Sequence, residues 1–215
     1  MIIGITGGTG CGKTTLLNCI RDAGGLILDC DAIYHELLLS NRAMLEAIDR
    51  RFPGTIENGS LDRKKLGGIV FADPEALSDL NKITHSAVKQ EVLRRLEDTP
   101  ALAAIDAIGL FEGGLNDLCD VTVAVTAPLE DRIARLMRRD GISEEYARSR
   151  IAAQHDCSWF RERCDHTLEN NGEIHTYQRR CLDFLQNLGI IGSRCPSVAE
   201  DGSSPANREE TIHDN

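Results

Sequence analysis

The chain opens on "MIIGIT", a short apolar run that ends in glycines. The following "KTTLLNCIRDAG" changes period: Leu16, Leu17 and Ile20 fall on one helical face before Gly24, which predicts strand, Gly-rich turn and helix. "GLILD" reads as a second buried strand, and "LAAIDAI", "VTVAVT" and "HTLEN" as three more. The intervals between them are long enough to hold crossover helices. Five strands in that alternation predict a parallel, doubly wound α/β sheet flanked by helices.

Two intervals exceed a simple crossover. Residues 32–100 are dominated by helical periodicity in "AIYHELLLSNRAMLEAIDRRF" and "EALSDLNKITHSAVKQEVLRRLED", and are expected to form a helical insertion on the sheet's ligand edge. The other, 129–164, has eight arginines between Arg132 and Arg163 and no lysine, with acids mixed among them. From Gly192 the chain is polar and aperiodic, the composition of a disordered tail over 192–215. The expected organisation is one domain over residues 1–191, followed by that tail.

Composition narrows the class. A chain of 215 residues with 41% apolar content can bury a sizeable core, and no apolar run approaches the roughly 18 residues of a membrane span. No basic leader with an apolar stretch and a cleavage site precedes the first strand, so a cytoplasmic protein with no membrane partner is expected. A formal charge of −10 argues against nucleic acid as a partner. The eight cysteines include no C-x-x-C pair and fit no zinc template. Free thiols in a reducing cell are expected, with a metal site built from Cys157, Cys164, His155 and His166 as the alternative.

"GGTGCGKT", Gly7 to Thr14, fits G-x-x-x-x-G-K-[ST] between a strand and a helix. Glycines let backbone N–H groups curl around phosphate oxygens, Lys13 reaches the β and γ phosphates, and the Thr14 hydroxyl can ligate Mg²⁺. ATP and Mg²⁺ are the expected cofactors of this P-loop NTPase fold. A GTPase would need N-K-x-D downstream of D-x-x-G, whereas "NKIT" lacks the aspartate and precedes "DAIG". A short chain with an arginine-rich excursion fits a small-molecule kinase, whose lid clamps the transferring phosphoryl group and excludes water.

The ordered set "GITGGTGCGKTT", "ILDCDAIYHELL", "GSLDRKKLGGIVFADPEALSDLNKITHSAV", "GLFEGGL", "RLMRRDGISEEYARSRIAAQ" and "HTLENNG" resembles dephospho-coenzyme A kinase over about residues 1–190. That family uses ATP to phosphorylate the ribose 3′-hydroxyl of dephospho-CoA, the last step of coenzyme A biosynthesis. The resemblance implies that Gly10, Cys11, Gly12, Lys13, Thr14 and Thr15 hold ATP phosphates and Mg²⁺. It implies an acceptor-facing role for Asp31 and association of Arg63, Leu66, Phe71, Asn81 and His85 with the CoA substrate. Arg135, Arg139, Arg150 and Gln154 match positions near the nucleotide, and Asn170 one near the adenine. Arginine suits such a place because its planar fork holds phosphate bidentately. Lys13, Asp31 and Arg139 are the expected catalytic residues, and a monomer or weak homo-oligomer is expected.

Asp31 has a second reading as the N-cap of "AIYHELLL", with Asp29 orienting the loop or a Mg²⁺-bound water. The chain departs from the family in "DAIGLFE", where Ile108 and Gly109 replace Pro and Leu and a looser loop is expected. Ser86 replaces the proline of "THP", and Cys11 replaces a small hydroxyl residue. Cys11 is expected either to be an activated thiolate beside Lys13 or to be shielded and inert. Rival readings are a nucleoside or sugar kinase on the same scaffold and a noncatalytic ATP-binding regulatory protein.

Overall fold

The computed structural model describes residues 1–57, 59–97 and 101–192; from residue 193 the expected tail lies outside the described residues. In chain order the first half contains β1 (Ile2–Thr6), α1 (Lys13–Asp22), β2 (Leu26–Asp29), α2 (Cys30–Ser40), α3 (Arg42–Arg51), β3 (Ile56–Glu57), β4 (Ser60–Leu61), α4 (Arg63–Val70) and α5 (Pro74–Leu96). The second half contains β5 (Ala103–Asp106), β6 (Val121–Thr126), α6 (Leu129–Asp140), α7 (Glu144–Ala152), α8 (Cys157–Arg163), β7 (His166–Glu169) and α9 (Ile174–Asn187).

All five expected strands form one sheet in the order β2-β5-β1-β6-β7, parallel throughout. The innermost strands are apolar on both faces because helices cover both: β6 is buried at all six positions. On one face Leu28, Ile105 and Leu110 pack with Ile33, Leu37, Ile48 and Val92 of α2, α3 and α5. On the other, Ile3, Ile5, Val123 and Val125 pack with Leu16 and Ile20 of α1 and with Tyr177, Phe184 and Leu185 of α9.

Parallel pairing brings every strand's carboxyl end to one edge, where open α/β sheets place their ligands. The register sets Asp29 beside Asp106 and Asp106 beside Ile5. Three chain reversals, after β1, β2 and β5, therefore open onto the same place.

The segment between β2 and β5 is helical as expected, with two differences. Its first periodic run is two helices, because Asn41 caps α3 through its Oδ1, which accepts from the Met44 N–H at 2.9 Å. It also holds an antiparallel pair, β3 with β4, near Gly59, whose φ of 78° suits a glycine. In the arginine-rich excursion, α6 and α7 share a small core of Ile133, Leu136, Ala147 and Ile151, separate from those of the sheet. Among the described residues no helix is long and apolar enough to cross a membrane.

Candidate active site

Residues 7–12 turn the chain from β1 into α1. Gly7 has φ 137°, and a Cβ there would lie 2.1 Å from the Val125 carbonyl oxygen; Gly12 has φ 95°, and a Cβ would lie 2.2 Å from Asn170 Nδ2. Only glycine fits either place. Helix α1 starts without a side-chain cap, which leaves first-turn N–H groups such as those of Lys13 and Thr14 for an anion. Lys13 Nζ donates to the Gly7 carbonyl at 3.0 Å and lies 3.8 Å from Asp106 Oδ1.

Asp106 ends β5 with its side chain 17% exposed, and its Oδ1 has no hydrogen-bond partner. Burial raises its pKa, Lys13 opposes that, Asp29 and Asp31 add to it, and the result is pushed up to about 6. The chain holds an unsatisfied carboxylate beside the phosphate-loop lysine.

The two aspartates after β2 divide their work differently from the N-cap reading of Asp31. The helix begins at Cys30, so the N-cap is Asp29, whose Oδ1 accepts from the Ala32 N–H at 3.0 Å. Asp31 is already in the first turn and is exposed. It lines both the P-loop cleft, of about 650 Å³, and an adjoining cavity of about 260 Å³. Tyr34, Asn81, Thr84, His85 and Ile108 are on that cavity's wall.

The opposite wall of the cleft is α6 and α7, with Arg135, Arg138, Arg139, Arg150 and Gln154 facing it. Arg135 reaches the loop itself, donating to the carbonyls of Gly10 at 3.2 Å and Cys11 at 3.4 Å. Asp140 holds two of the others: it accepts from Arg139 Nε at 2.6 Å and from Arg150 Nη1 at 2.8 Å. Those bonds, Arg139's first, bring the Asp140 pKa down to about 2. The cleft thus pairs a cradle of N–H groups and cationic side chains with carboxylates, equipment suited to moving a phosphoryl group to a hydroxyl.

A family model for dephospho-CoA kinase matches residues 1–176. The chain belongs to the dephospho-CoA kinase family. A dephospho-CoA kinase of Symbiobacterium thermophilum is 39% identical over 180 residues, covering 80% of this chain and 75% of the relative. One of Thermus thermophilus is 36% identical over 197 residues, covering 90% and 96%. Among solved structures, a Thermus thermophilus protein superposes with a TM-score of 0.73 at 35% identity, covering 87% of this chain and 97% of its own. Dephospho-CoA kinase from Campylobacter jejuni gives 0.61 at 26%, covering 87% and 96%. Shikimate kinase from Bacteroides thetaiotaomicron, at 16% identity and 0.53, shares the fold.

The residues that the dephospho-CoA kinase resemblance singles out fall into three groups. Gly10, Cys11, Gly12, Lys13, Thr14, Asp31, Arg135, Arg139, Arg150 and Gln154 line the cleft, and Asn81 and His85 line the adjoining cavity. Others brace: the buried Asn170 donates from Nδ2 to the Cys11 carbonyl at 2.9 Å, and Gln154 Oε1 accepts from the Thr9 N–H at 2.8 Å. Thr15 continues the loop into α1, its N–H donating to the Gly12 carbonyl at 3.2 Å. The third group lines neither cavity: Leu66 is in the core, Phe71 is 84% exposed, and Arg63 is exposed, with its charge acting on Tyr34 of the second cavity's wall.

Cys11 is 1% exposed among apolar side chains, and burial raises its pKa, so the activated-thiolate expectation is replaced by the shielded one. The loop with Ile108 and Gly109 is pinned: Thr6 Oγ1 donates to the Ile108 carbonyl at 3.0 Å, and Leu110 is fully buried. His155 stacks on Trp159 with ring centres 3.9 Å apart, and its Nε2 lies 3.0 Å from Glu112 Oε1. His166 meets Phe184 instead. Among the described residues, no group of three His, Cys, Asp or Glu side chains stands close enough to hold a metal by itself.

Sequence reasoning missed Arg132. It is 4% exposed, and its Nε donates to the Thr9 carbonyl at 2.9 Å. Its signal was available in the helical pattern, since Arg132 shares the buried face of α6 with Ile133 and Leu136.

Proposed function

We propose that the protein transfers the γ-phosphoryl group of ATP to the ribose 3′-hydroxyl of dephospho-CoA, giving coenzyme A and ADP. The observation that carries this reading is the position of Asp31 at the boundary of two cavities, one built for phosphates and one beside it with mixed apolar and polar walls. A hydroxyl-bearing nucleoside seated in the second presents its ribose to the first past Asp31 and Ile108, which line both.

In this reading the Asp31 carboxylate orients the 3′-hydroxyl and accepts its proton as the oxygen attacks phosphorus. The bond from the γ phosphorus to the β-bridging oxygen breaks, and ADP leaves with the electron pair. Lys13 and the guanidinium groups of Arg135, Arg139 and Arg150 face the charge that develops on the transferring group. Arg139 and Arg150 exchange their bonds to Asp140 for phosphate oxygens. Segment 129–164 is read as the lid, and 32–100 as the part that receives the acceptor.

Mg²⁺ fits the donor set, because the Thr14 hydroxyl and the orphaned Asp106 oxygen, with Asp29 near, supply hard oxygen ligands. Few protein oxygens suffice, since Mg²⁺ keeps waters and takes phosphate oxygens as well. When bound, it neutralises charge on the β and γ phosphates. The substrates, ATP and a coenzyme precursor, make the cytoplasm the proposed compartment. A monomer or weak homo-oligomer is part of the same reading.

The test is ATP consumption with Mg²⁺ against a panel of hydroxyl acceptors. Consumption dependent on dephospho-CoA, with phosphate found on the 3′-oxygen, is expected. Turnover of a nucleoside or sugar instead, or ATP binding without turnover of any acceptor, would overturn the reading.

A further inference from the structure

Arg132 is a charged side chain in an unfavourable place. It sits at the end of the first turn of α6, where Glu130 and Asp131 offset the helix dipole without either pairing with it. It is 4% exposed, and no carboxylate among the described residues forms an ion pair with it. Neighbouring arginines differ: Arg135 has Asp131 at 3.9 Å and Arg139 has Asp140 at 2.6 Å. A buried cation lacking an anion weakens the folded state unless something else repays its lost hydration.

What Arg132 has instead is the phosphate loop. Its Nε donates to the Thr9 carbonyl at 2.9 Å, and its Nη2 points to Gln154 Oε1 at 3.5 Å. Gln154 in turn accepts from the Thr9 N–H at 2.8 Å, so the Thr9 residue is held at both its backbone groups, once from α6 and once from just beyond α7. Gly8 yields the room: a Cβ on it would lie 2.3 Å from Arg132 Nη2. The guanidinium lies against the back of a loop whose front is an anion cradle.

We propose that Arg132 is a positioning residue that senses nucleotide, its buried charge being balanced when a polyphosphate occupies the loop. The proposal rests on the ATP reading above. Through Thr9 and Gln154 the same side chain ties α6 and α7 to the shape of the loaded loop. Binding of ATP then stabilises loop and lid together, because the charge that weakens the empty protein strengthens the filled one.

The experiment compares wild type, Arg132→Gln and Arg132→Lys by thermal unfolding with and without Mg·ATP, and measures ATP affinity and turnover separately. Arg132→Gln is expected to lose more than half of the ATP-induced rise in Tm. Its ATP affinity should weaken by roughly tenfold, the scale of one charged contact, with kcat at saturating ATP changed far less. Arg132→Lys should recover most of the affinity. Equal loss of Tm with and without ATP, at unchanged affinity, would show a plain strut and overturn the inference. A wild type that ATP does not stabilise would overturn the kinase reading and this inference with it. Should Arg132→Gln not fold, Gln154→Glu decides: a carboxylate beside the guanidinium should raise the Tm of the nucleotide-free protein, and an unchanged or lower Tm would refute the unbalanced charge.

Discussion

Asp106→Asn is expected to make the nucleotide-free protein more stable and less active. The carboxyl ends β5 with one oxygen unpartnered, and burial raises its pKa from an ordinary 3.8 to about 6. A carboxyl whose pKa is higher folded than unfolded favours the native state when protonated. Its contribution is full below pH 3.8 and is lost as pH rises through about 6. At pH 8 the wild type therefore carries the whole penalty of the ionised group. A rise from 3.8 to about 6, at roughly 1.4 kcal/mol per pH unit, makes that penalty about 3 kcal/mol. The attraction of Lys13 is already inside this figure, since it is among the causes that set the pKa. Asparagine resembles the protonated form in shape and cannot ionise. Metal-free Asp106→Asn should then melt roughly 6–12 °C above wild type at pH 8, with the gap closing as pH approaches 4. Under the proposed mechanism turnover falls by roughly 10²-fold, because the negative charge beside Lys13, which would also help to hold Mg²⁺, is gone. Differential scanning calorimetry in EDTA across that pH range checks the first half, and coupled ADP release the second. A variant no more stable than wild type at pH 8, or equally stabilised at both ends of the range, would refute the reasoning.

Lys13→Ala should lower turnover by roughly 10²-fold or more while leaving the fold intact by circular dichroism; near-normal turnover would sink the P-loop assignment. Asp31→Asn should lower kcat by roughly 10²-fold with little change in Tm, whereas Asp29→Ala should cost about 1 kcal/mol of stability through the lost cap. Reversed outcomes in that pair, read by kinetics and melting, would exchange the two roles. Cys11 should stay unmodified when native protein is treated with a small thiol reagent and digested for mass spectrometry, and rapid labelling there would contradict its burial.

Local patterns made the sheet legible. Each strand announces itself in four to six consecutive positions: "VTVAVT" is apolar or β-branched throughout because both of its faces are covered, and β6 is buried at all six. The Gly-rich turn was equally plain, since its glycines answer to backbone requirements of the loop itself, as at Gly7 and Gly12. The β3–β4 pair was not, because two residues on each strand are too few to show a period. Nor was the break at Asn41, where a side-chain cap interrupts a pattern that stays periodic on both sides.

The site was legible in its parts and not in their division of labour, and the aspartates show why. Strand and helix both tolerate "LDCD", and a shift of one residue in where α2 begins decides which carboxylate serves the backbone. With the helix starting at Cys30, Asp29 satisfies the Ala32 N–H through its Oδ1. Asp31, two residues on, owes nothing to the cap and is left at the meeting of two cavities. The capping requirement thus releases one carboxylate by occupying the other. The same logic governs the arginines: of the eight from Arg132 to Arg163, helical periodicity could single out Arg132 on the buried face of α6 but could not rank the others. The folded contacts do so, because Asp140 engages Arg139 and Arg150 at the surface, while Thr9 and Gln154 receive Arg132 beneath the loop. Under the proposed mechanism, the first two have partners that phosphate can replace. Arg132 instead has a loop carbonyl and the Gln154 side chain as partners, neither of which a phosphate in the cradle replaces.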